Sequence, residues 1–278
     1  MIRLFAAICA LVVFASPAAM AQTPNDDPAA LKLAVPDFAL IGLPTTLRLP
    51  KFGSAFRVTH RFTRPLNDNF GAVLDDFFGI DGGAQIGLEY RFGIIPNGQV
   101  GIHRTSNRTI EFFAQYAALR QGANFPLDVS ALATIEGTNN FHDDKSGIPV
   151  SSRSPALGAI ISRTVGEVAA FYVEPIWVNN TNPDPSQLVD HNDTFMVGVG
   201  ARIRFRPTLY LVGEFAPRAS GYKPGVNHGS FAIEKRVGGH LFQLNFSNAF
   251  GTTIAQIARG GSIEKNWTLG FNISRKFF

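Results

Sequence analysis

The sequence predicts an all-β fold, a transmembrane antiparallel up-and-down β-barrel of about 12 strands, from three observations. Apolar and polar residues alternate with a period of two from about residue 54 to the end of the chain, which is typical of strands. Tight turns alternate with long polar connections. One face of each predicted strand collects Phe, Leu, Ile and Val, whereas the other collects Gly, Ser and charged residues.

The composition excludes several other classes of protein. Of 278 residues, 45% are hydrophobic, 12% aromatic and 17% charged, with 25 Phe and 27 Gly, which is enough apolar material to exclude intrinsic disorder as the main state. After the N-terminal segment no apolar run reaches the ~18 residues that a membrane helix needs. The formal net charge of +4 is too small and too evenly spread to indicate a nucleic-acid partner.

Residues 1–21 have the pattern of a Sec-type signal peptide. Arg3 supplies the positive charge, residues 4–16 form the apolar region, and the segment ends in an A-x-A cleavage pattern at Ala21. Cys9 is the only cysteine of the chain and lies within this segment, so the mature protein is expected to have no disulfide bond. We therefore predict export, with cleavage after Ala21.

The mature chain divides into two predicted parts. Residues 22–44 are rich in Pro and Asp and lack the alternation, so we predict a periplasmic N-terminal lead-in. The outer-membrane β-barrel is expected to comprise residues 45–278. The twelve predicted strands are 54–62, 84–92, 99–104, 108–119, 126–137, 156–165, 168–178, 194–205, 209–215, 228–236, 240–248 and 267–277.

The connections between these strands are sorted by length. Alternate connections are tight, whereas most of the others are long and hold most of the Asn, Asp, Pro and Gly. Short turns on one rim and long loops on the other are typical of outer-membrane barrels, whereas a soluble β-sandwich has no reason to sort its loops. The tight connections are 93–98, 120–125, 166–167, 206–208 and 237–239.

Side-chain parity divides each strand into two faces, and the apolar character of one face decides which of them meets lipid. In the strand 194–205, Phe195, Val199 and Ile203 share one face, while Arg202 lies on the other. A continuous apolar face would be a poor water-facing surface, so we expect it to face lipid and the polar face to line a lumen. Because lipid offers no hydrogen bonds to an open edge, the first and last strands are expected to pair.

Short strings spread along the chain form a recognisable set. They are LPK at 49–51, HRF at 60–62, FGID at 78–81, GLEY at 87–90, RQ at 120–121, EFAPR at 214–218, SGY at 220–222, EKRVGGH at 234–240 and FQLNF at 242–246, with Asn248. The set resembles domain-of-unknown-function family 5777, a family of bacterial outer-membrane β-barrels, with one departure at Thr63, where Gly is expected. The resemblance implies the fold and location and assigns no activity, ligand or catalytic residue.

The polar face of the predicted barrel carries many charged side chains. One hypothesis is a charged constriction that selects solutes, and the alternative is an ion-pair network that fills a narrow barrel. Twelve strands lie between the filled ~8-strand barrels and the open ~16-strand porins, so strand number does not separate the two. The candidate lumen residues are Arg57, Arg61, Glu89, Arg91, Glu111, Glu136, Glu174, Arg202, Arg204, Glu214, Glu234 and Arg236.

Several histidines and serines are candidates for metal or haem binding or for catalysis, but the sequence around them supports none of these sites. Carboxylates near loop histidines, and a pair of histidines at strand ends, are potential metal or haem ligands, but nothing fixes their geometry. A nucleophile–base pair could be formed by His240 with Ser247 or Ser274, but the sequence around these serines has no motif typical of a catalytic nucleophile. No catalytic residue is therefore predicted. The histidine groups are His142 with Asp143 and Asp144, His191 with Asp190 and Asp193, and His60 with His240.

The sequence therefore predicts a narrow porin-like or selective solute channel of unknown substrate. The alternatives are a non-conducting binding or structural barrel that docks a partner through its loops or rim and, ranked third, an outer-membrane enzyme. The expected partners are outer-membrane lipid, the barrel-assembly machinery during insertion and a small solute. No cofactor and no metal are predicted.

Overall fold

The computed structural model describes residues 33–66, 70–75, 77–143, 151–184, 191–263 and 265–278. The predicted signal peptide and the first part of the predicted lead-in, residues 22–32, lie outside these ranges. Within them, no helix is long and apolar enough to cross a membrane.

A single antiparallel sheet dominates the structure. Its strands are β1 (Ser54–Phe62), β2 (Ala84–Ile95), β3 (Gly98–Thr105), β4 (Ile110–Leu119), β5 (Asp128–Gly137), β6 (Arg153–Val165), β7 (Ala169–Val178), β8 (Thr194–Arg206), β9 (Leu209–Ala216), β10 (Arg218–Ser220), β11 (His228–Val237), β12 (His240–Ser247) and β13 (Thr268–Phe277). The short β10 follows β9 after Pro217 and pairs with β8, so β9 and β10 act as one strand. The twelve predicted strands are confirmed, with small shifts at their ends.

The sheet closes on itself. β1 pairs with β2 on one side and with β13 on the other, where Ser54 lies opposite Phe277 and Arg61 opposite Gly270. β8 pairs with β9, and β9 with β11, so the ring of strands is complete. The predicted pairing of the first and last strands is confirmed. Closure leaves every long strand with two neighbours, as a barrel in lipid requires.

The two faces of the wall differ as the alternation predicts. On β2, Leu88 and Tyr90 are 48% and 45% exposed, whereas Glu89 and Arg91 between them are 6% and 5% exposed. The same contrast recurs around the ring, with large apolar side chains outside and polar ones inside. The apolar face therefore points away from the lumen, as predicted.

Short helices occur in the connections. They are α1 (Phe70–Asp75), two 3₁₀ segments (Phe77–Gly82 and Thr138–Phe141) and α2 (Ile254–Arg259). α2 lies in the connection between β12 and β13, and its residues 254–258 are buried. The Thr253 side chain caps it by accepting a hydrogen bond from the Gln256 N–H. The connection therefore turns inward, and residues 248–261 are called the inward loop below.

Residues 33–49 form what we call the N-terminal hairpin, which lies inside the barrel. The expected periplasmic position of residues 22–44 therefore does not describe residues 33–44. Phe38, Leu40 and Leu43 are each at most 3% exposed, and Ile41 is fully buried. Burying apolar side chains is favourable by about 25 cal/mol per Å², which explains why this segment leaves the solvent.

Candidate functional site in the barrel lumen

The N-terminal hairpin enters and leaves the lumen through the rim of short turns. Leu33 and Ala34 line a surface cavity together with the turns at 121–122 and 166–167. The chain rises to a tight turn, where the Leu40 N–H donates to the Leu43 carbonyl at 2.8 Å. It then descends to the start of β1. Both arms of the hairpin thus pass the same rim.

A single carboxylate binds the tip of the hairpin. Glu214 accepts the N–H of Ile41 at 2.9 Å, that of Gly42 at 2.9 Å and that of Leu43 at 3.0 Å. It also lies 3.0 Å from His228 Nε2. Hydrogen bonds to a charged group are worth about 1.5–3 kcal/mol each, and buried N–H groups without partners are costly. Glu214 therefore satisfies three consecutive donors that sequence reasoning had not connected with it.

The carbonyl groups of the same tip accept hydrogen bonds from donor side chains of the wall. Three successive residues each accept a hydrogen bond from a buried wall side chain. The bonds are Arg202 Nη2 to the Ala39 carbonyl (2.7 Å), Gln243 Nε2 to the Leu40 carbonyl (2.7 Å) and Asn272 Nδ2 to the Ile41 carbonyl (3.0 Å). The wall thus contacts the backbone of residues 39–43 through both donors and acceptors.

The side chains of the tip enter recesses left by two glycines of β8. A Cβ atom at Gly200 would lie 2.3 Å from Leu40 Cδ1, and one at Gly198 would lie 2.9 Å from Leu43 Cδ1. Any larger residue at Gly200 would occupy the space of the Leu40 side chain. The wall therefore matches the tip in shape as well as in hydrogen bonding.

α2 fills the lumen from the other end. Glu111 Oε1 accepts the Ile254 N–H at 2.9 Å. Glu136 accepts hydrogen bonds from the Thr253 hydroxyl and the Arg259 guanidinium. Two predicted lumen glutamates, Glu111 on β4 and Glu136 on β5, therefore contact α2 and its N-cap residue and do not line an open passage.

The N-terminal hairpin and α2 meet inside the barrel. A Cβ atom at Gly42 would lie 2.8 Å from Ile257 Cδ1. Near this contact a cavity of about 30 Å³ is lined by Gly42, Glu89, His103, Glu111 and other residues. That volume holds one or two water molecules. The hairpin and the helix therefore occlude the lumen in the described state.

The predicted lumen residues lie on the inward face, and many of them form ion pairs. Arg202 Nε lies 2.7 Å from Glu234 Oε2, with both side chains fully buried. Glu89 lies 3.1 Å from Arg57 Nη2 and 2.8 Å from Arg91 Nη2. Such pairs satisfy charges that would otherwise be costly to bury. Whether these residues form a constriction for a solute stays a prediction.

Four further members of the predicted set have other surroundings. Arg61 Nη1 donates to Asn272 Oδ1 at 2.8 Å. Arg204 and Arg236 are only partly buried, and Arg204 pairs with Glu167 of a short turn at 3.3 Å. Glu174 is fully buried on β7, and neither of its oxygens has a hydrogen-bond partner among the described residues.

The rim histidines and the serines are not brought together. His60 stacks on Phe271, with ring centroids 4.6 Å apart, at the long-loop end of β1. His240 begins β12 at the opposite rim and contacts Arg275. Ser247 instead bonds to Ser230, and Ser274 bonds to the Asp37 carboxylate. The structure therefore assembles neither a histidine pair nor a serine–histidine pair from these candidates.

The loop histidines likewise form no site within the described residues. His142 contacts backbone carbonyls, while Asp143 accepts the Ser152 N–H at 2.8 Å. Asp144 and Asp190 fall outside the described residues. In the part of the chain that the structure describes, no group of three or more His, Cys, Asp and Glu side chains is placed to hold a metal ion.

The fold resembles solved outer-membrane barrels. A NanC porin superposes with a TM-score of 0.51 at 7% identity, covering 81% of this chain and 99% of that chain. The COG4313 outer membrane channel from Pseudomonas putida F1 gives a TM-score of 0.49 at 11% identity, covering 83% and 97%. Outer membrane phospholipase A from Escherichia coli gives 0.43 at 12% identity, covering 81% and 90%. The NanC likeness shows the barrel fold.

Sequence comparison identifies the family. No curated protein matches the chain. The model of the family described as "Membrane bound beta barrel domain (DUF5777)" matches residues 37–277, which confirms the resemblance seen in the short strings. The match includes both the wall and most of the N-terminal hairpin. The chain belongs to this family of membrane-bound β-barrels.

Proposed function

We propose that the protein is a solute channel of the bacterial outer membrane that the N-terminal hairpin closes in the described state. The observation that carries the proposal is the path of the hairpin, whose two arms pass the same rim. Such a segment can withdraw without threading a chain end through the lumen. Its tip is bound to the wall by side-chain hydrogen bonds, which can break and re-form without disturbing the strands.

Withdrawal of the hairpin would expose polar side chains of the wall that now bind its backbone. Glu214, Arg202, Gln243 and Asn272 would lose their backbone partners at the tip and require others. Water or a polar solute supplies such partners, whereas an apolar solute does not. The proposed cargo is therefore a small polar solute, and no catalytic step is proposed.

The outer membrane is the proposed location. Large apolar side chains cover the outward face, including Leu157 at 60% and Leu211 at 49% exposed, and lipid is the partner that suits them. The predicted signal peptide supplies the export step, and the barrel-assembly machinery is the proposed partner during insertion.

One observation favours a second candidate, a non-conducting structural barrel. Apolar side chains of the hairpin, the wall and α2 form one continuous buried cluster, which includes Leu40, Leu43, Ile176, Met196 and Ile257. A cluster of this kind stabilises a permanently filled lumen, because separating its members exposes apolar surface to water. The two candidates differ in whether the hairpin moves.

A disulfide between the hairpin and the wall tests the proposal. Thr46 Oγ1 and Ser162 Oγ lie 2.6 Å apart, so cysteines at these positions are close enough for an S–S bond of about 2.0 Å. We would insert the Thr46→Cys/Ser162→Cys variant of the mature protein into planar bilayers. The reduced form is expected to show discrete conductance steps, and the oxidised form none.

The single variant Thr46→Cys is the matched control, since oxidation leaves its hairpin free. Silence of both forms of the double variant, with correctly folded barrels, would favour the non-conducting candidate. Conductance by the oxidised form would show that another route crosses the barrel and that the hairpin does not close it.

A further inference from the structure

We propose that the wall beneath the hairpin tip is a binding site for a short peptide with apolar side chains. In the described state the site holds the chain's own residues 39–43. The inference rests on displacement of the hairpin, as proposed above, and names the class of solute that would take its place.

The wall offers both hydrogen-bond acceptors and hydrogen-bond donors to the backbone of the tip. Glu214 accepts three successive backbone N–H groups, while Arg202, Gln243 and Asn272 donate to three successive carbonyls. The two sets overlap at Ile41, whose N–H and carbonyl are both bound. A peptide backbone presents donors and acceptors at this spacing. A simple anion would be repelled by Glu214 and a simple cation by Arg202.

The recesses of the wall receive apolar side chains. The tip reads Ala39, Leu40, Ile41, Gly42, Leu43, so none of its side chains is polar. The recesses at Gly198 and Gly200 receive leucine side chains. The polar backbone is thus recognised by hydrogen bonds and the side chains by shape, which favours short peptides with apolar side chains over peptides with charged side chains.

The tethered hairpin competes with a free peptide for this site. A segment joined to its own site by a short linker has an effective concentration on the order of 1 mM. A free peptide therefore competes only at millimolar concentration, and its binding is best detected through release of the hairpin. Thr46 reports that release because its side chain is buried against Ser162 in the closed state.

The experiment uses the Thr46→Cys variant of the full mature chain in detergent micelles. The thiol is labelled with a charged maleimide in the presence of the peptide acetyl-Ala-Leu-Ile-Gly-Leu-Pro-amide at several millimolar. We expect labelling to accelerate at least fivefold, because bound peptide keeps the hairpin out. The control peptide carries N-methyl groups on its Ile, Gly and Leu amides, which removes the donors for Glu214, and it is expected to leave the rate unchanged.

A second protein controls for adventitious binding to the micelle or the outer face. The oxidised Thr46→Cys/Ser162→Cys variant keeps its hairpin in place, so saturation-transfer NMR is expected to detect no peptide on it. An unchanged labelling rate, or equal acceleration by both peptides, would overturn the inference.

The same proteins separate this inference from the channel proposal. If the peptide accelerates labelling but the barrel never conducts, the peptide site is supported and the channel proposal is overturned. If the barrel conducts but the peptide leaves the labelling rate unchanged, the channel proposal is supported and the peptide site is overturned.

Discussion

The N-terminal hairpin and α2 fill the lumen from opposite ends, and wall glutamates bind both. Glu214 holds three backbone N–H groups of the hairpin tip. Glu111 and Glu136 hold the start of α2 and its Arg259. Glu214 and Glu111 each accept backbone N–H groups of a segment outside the sheet, and Glu136 accepts side-chain donors of the inward loop. The chemistry of attachment is therefore shared.

The two segments differ in how they are tethered. The inward loop joins β12 to β13, and its Gly261 exchanges two backbone hydrogen bonds with Val226, at 2.8 and 2.9 Å. Among the described residues, the N-terminal hairpin joins a strand only through its C-terminal arm, and its own backbone ladder is internal. Both segments are bound to the wall by carboxylates, so this binding does not distinguish the part that would move. A segment joined to the sheet at one end leaves the lumen more easily than one joined at both ends, which favours the hairpin as the moving part.

The largest effect is expected from Glu214→Gln. The neutral amide offers one acceptor oxygen in place of a carboxylate, so the tip loses charge-assisted hydrogen bonds worth about 1.5–3 kcal/mol each. Loss of two such bonds corresponds to at least about a 100-fold rise in hairpin opening. Hydrogen exchange of the amides of residues 41–43, followed by mass spectrometry, measures that rise.

Glu174→Gln is the matched control for this change. It makes the same carboxyl-to-amide change on the inward face of a neighbouring part of the wall, at a side chain without a hydrogen-bond partner among the described residues. It is expected to leave exchange at 41–43 within a factor of about three, or 0.7 kcal/mol. Equal acceleration by both variants would mean that any carboxyl-to-amide change in this part of the wall releases the tip, and that the contact at Glu214 does not hold it.

A smaller effect is expected from Gly200→Ala. The added Cβ would lie 2.3 Å from Leu40 Cδ1, so the Leu40 side chain must move. Overpacking of this kind costs about 1–3 kcal/mol, which predicts roughly a tenfold rise in exchange at 41–43. The double variant Gly200→Ala/Leu40→Ala removes the clash and should show less exchange than the sum of the single changes predicts. Strict additivity of the two changes would contradict the contact.

The wall of the barrel could be predicted because its signal is local. A period of two and a change of turn length specify each strand within about ten residues, and parity places residues such as Glu89 and Arg202 together on the face opposite the apolar one. Lipid outside the barrel then fixes which face is apolar.

The occupants of the lumen were missed because their partners are distant in sequence. Gly42 and Glu214 are 172 residues apart, and no periodicity links them. A signal did exist: residues 38–43 are apolar and lie between Pro36 and Pro44, which is unusual for a segment exposed to water. Sequence reasoning placed this segment in the periplasm because it lacked alternation, and lack of alternation excludes a strand but not burial.

A still smaller and more local effect is expected at α2. Thr253→Ala removes the cap that accepts the Gln256 N–H and also a hydroxyl donor to Glu136. Loss of an N-cap costs about 1 kcal/mol, so exchange of the α2 amides should rise about fivefold. Exchange at 41–43 and the bilayer conductance should stay unchanged, because the inward loop is held at both ends. Release of the hairpin by this variant would show that the two segments move together.

The smallest effect is expected at the long-loop rim, far from either lumen segment. The Ser152 N–H donates to Asp143 at 2.8 Å, and this bond holds the pKa of the Asp143 carboxyl below its ordinary value. A lowered pKa means that the bond stabilises the loop above the ordinary aspartate pKa of about 3.9 and is lost as pH falls through the lowered value. In the parent protein, exchange of the Ser152 amide, after correction for its intrinsic rate, should therefore rise as pH falls from about 5 to about 2. We expect the Asp143→Asn variant to lack this rise.

Exchange at 41–43 should be the same in this variant as in the parent protein at each pH, since the loop lies outside the lumen. A change at the hairpin would mean that the rim and the lumen are coupled, and the hairpin would then no longer be the independent moving part.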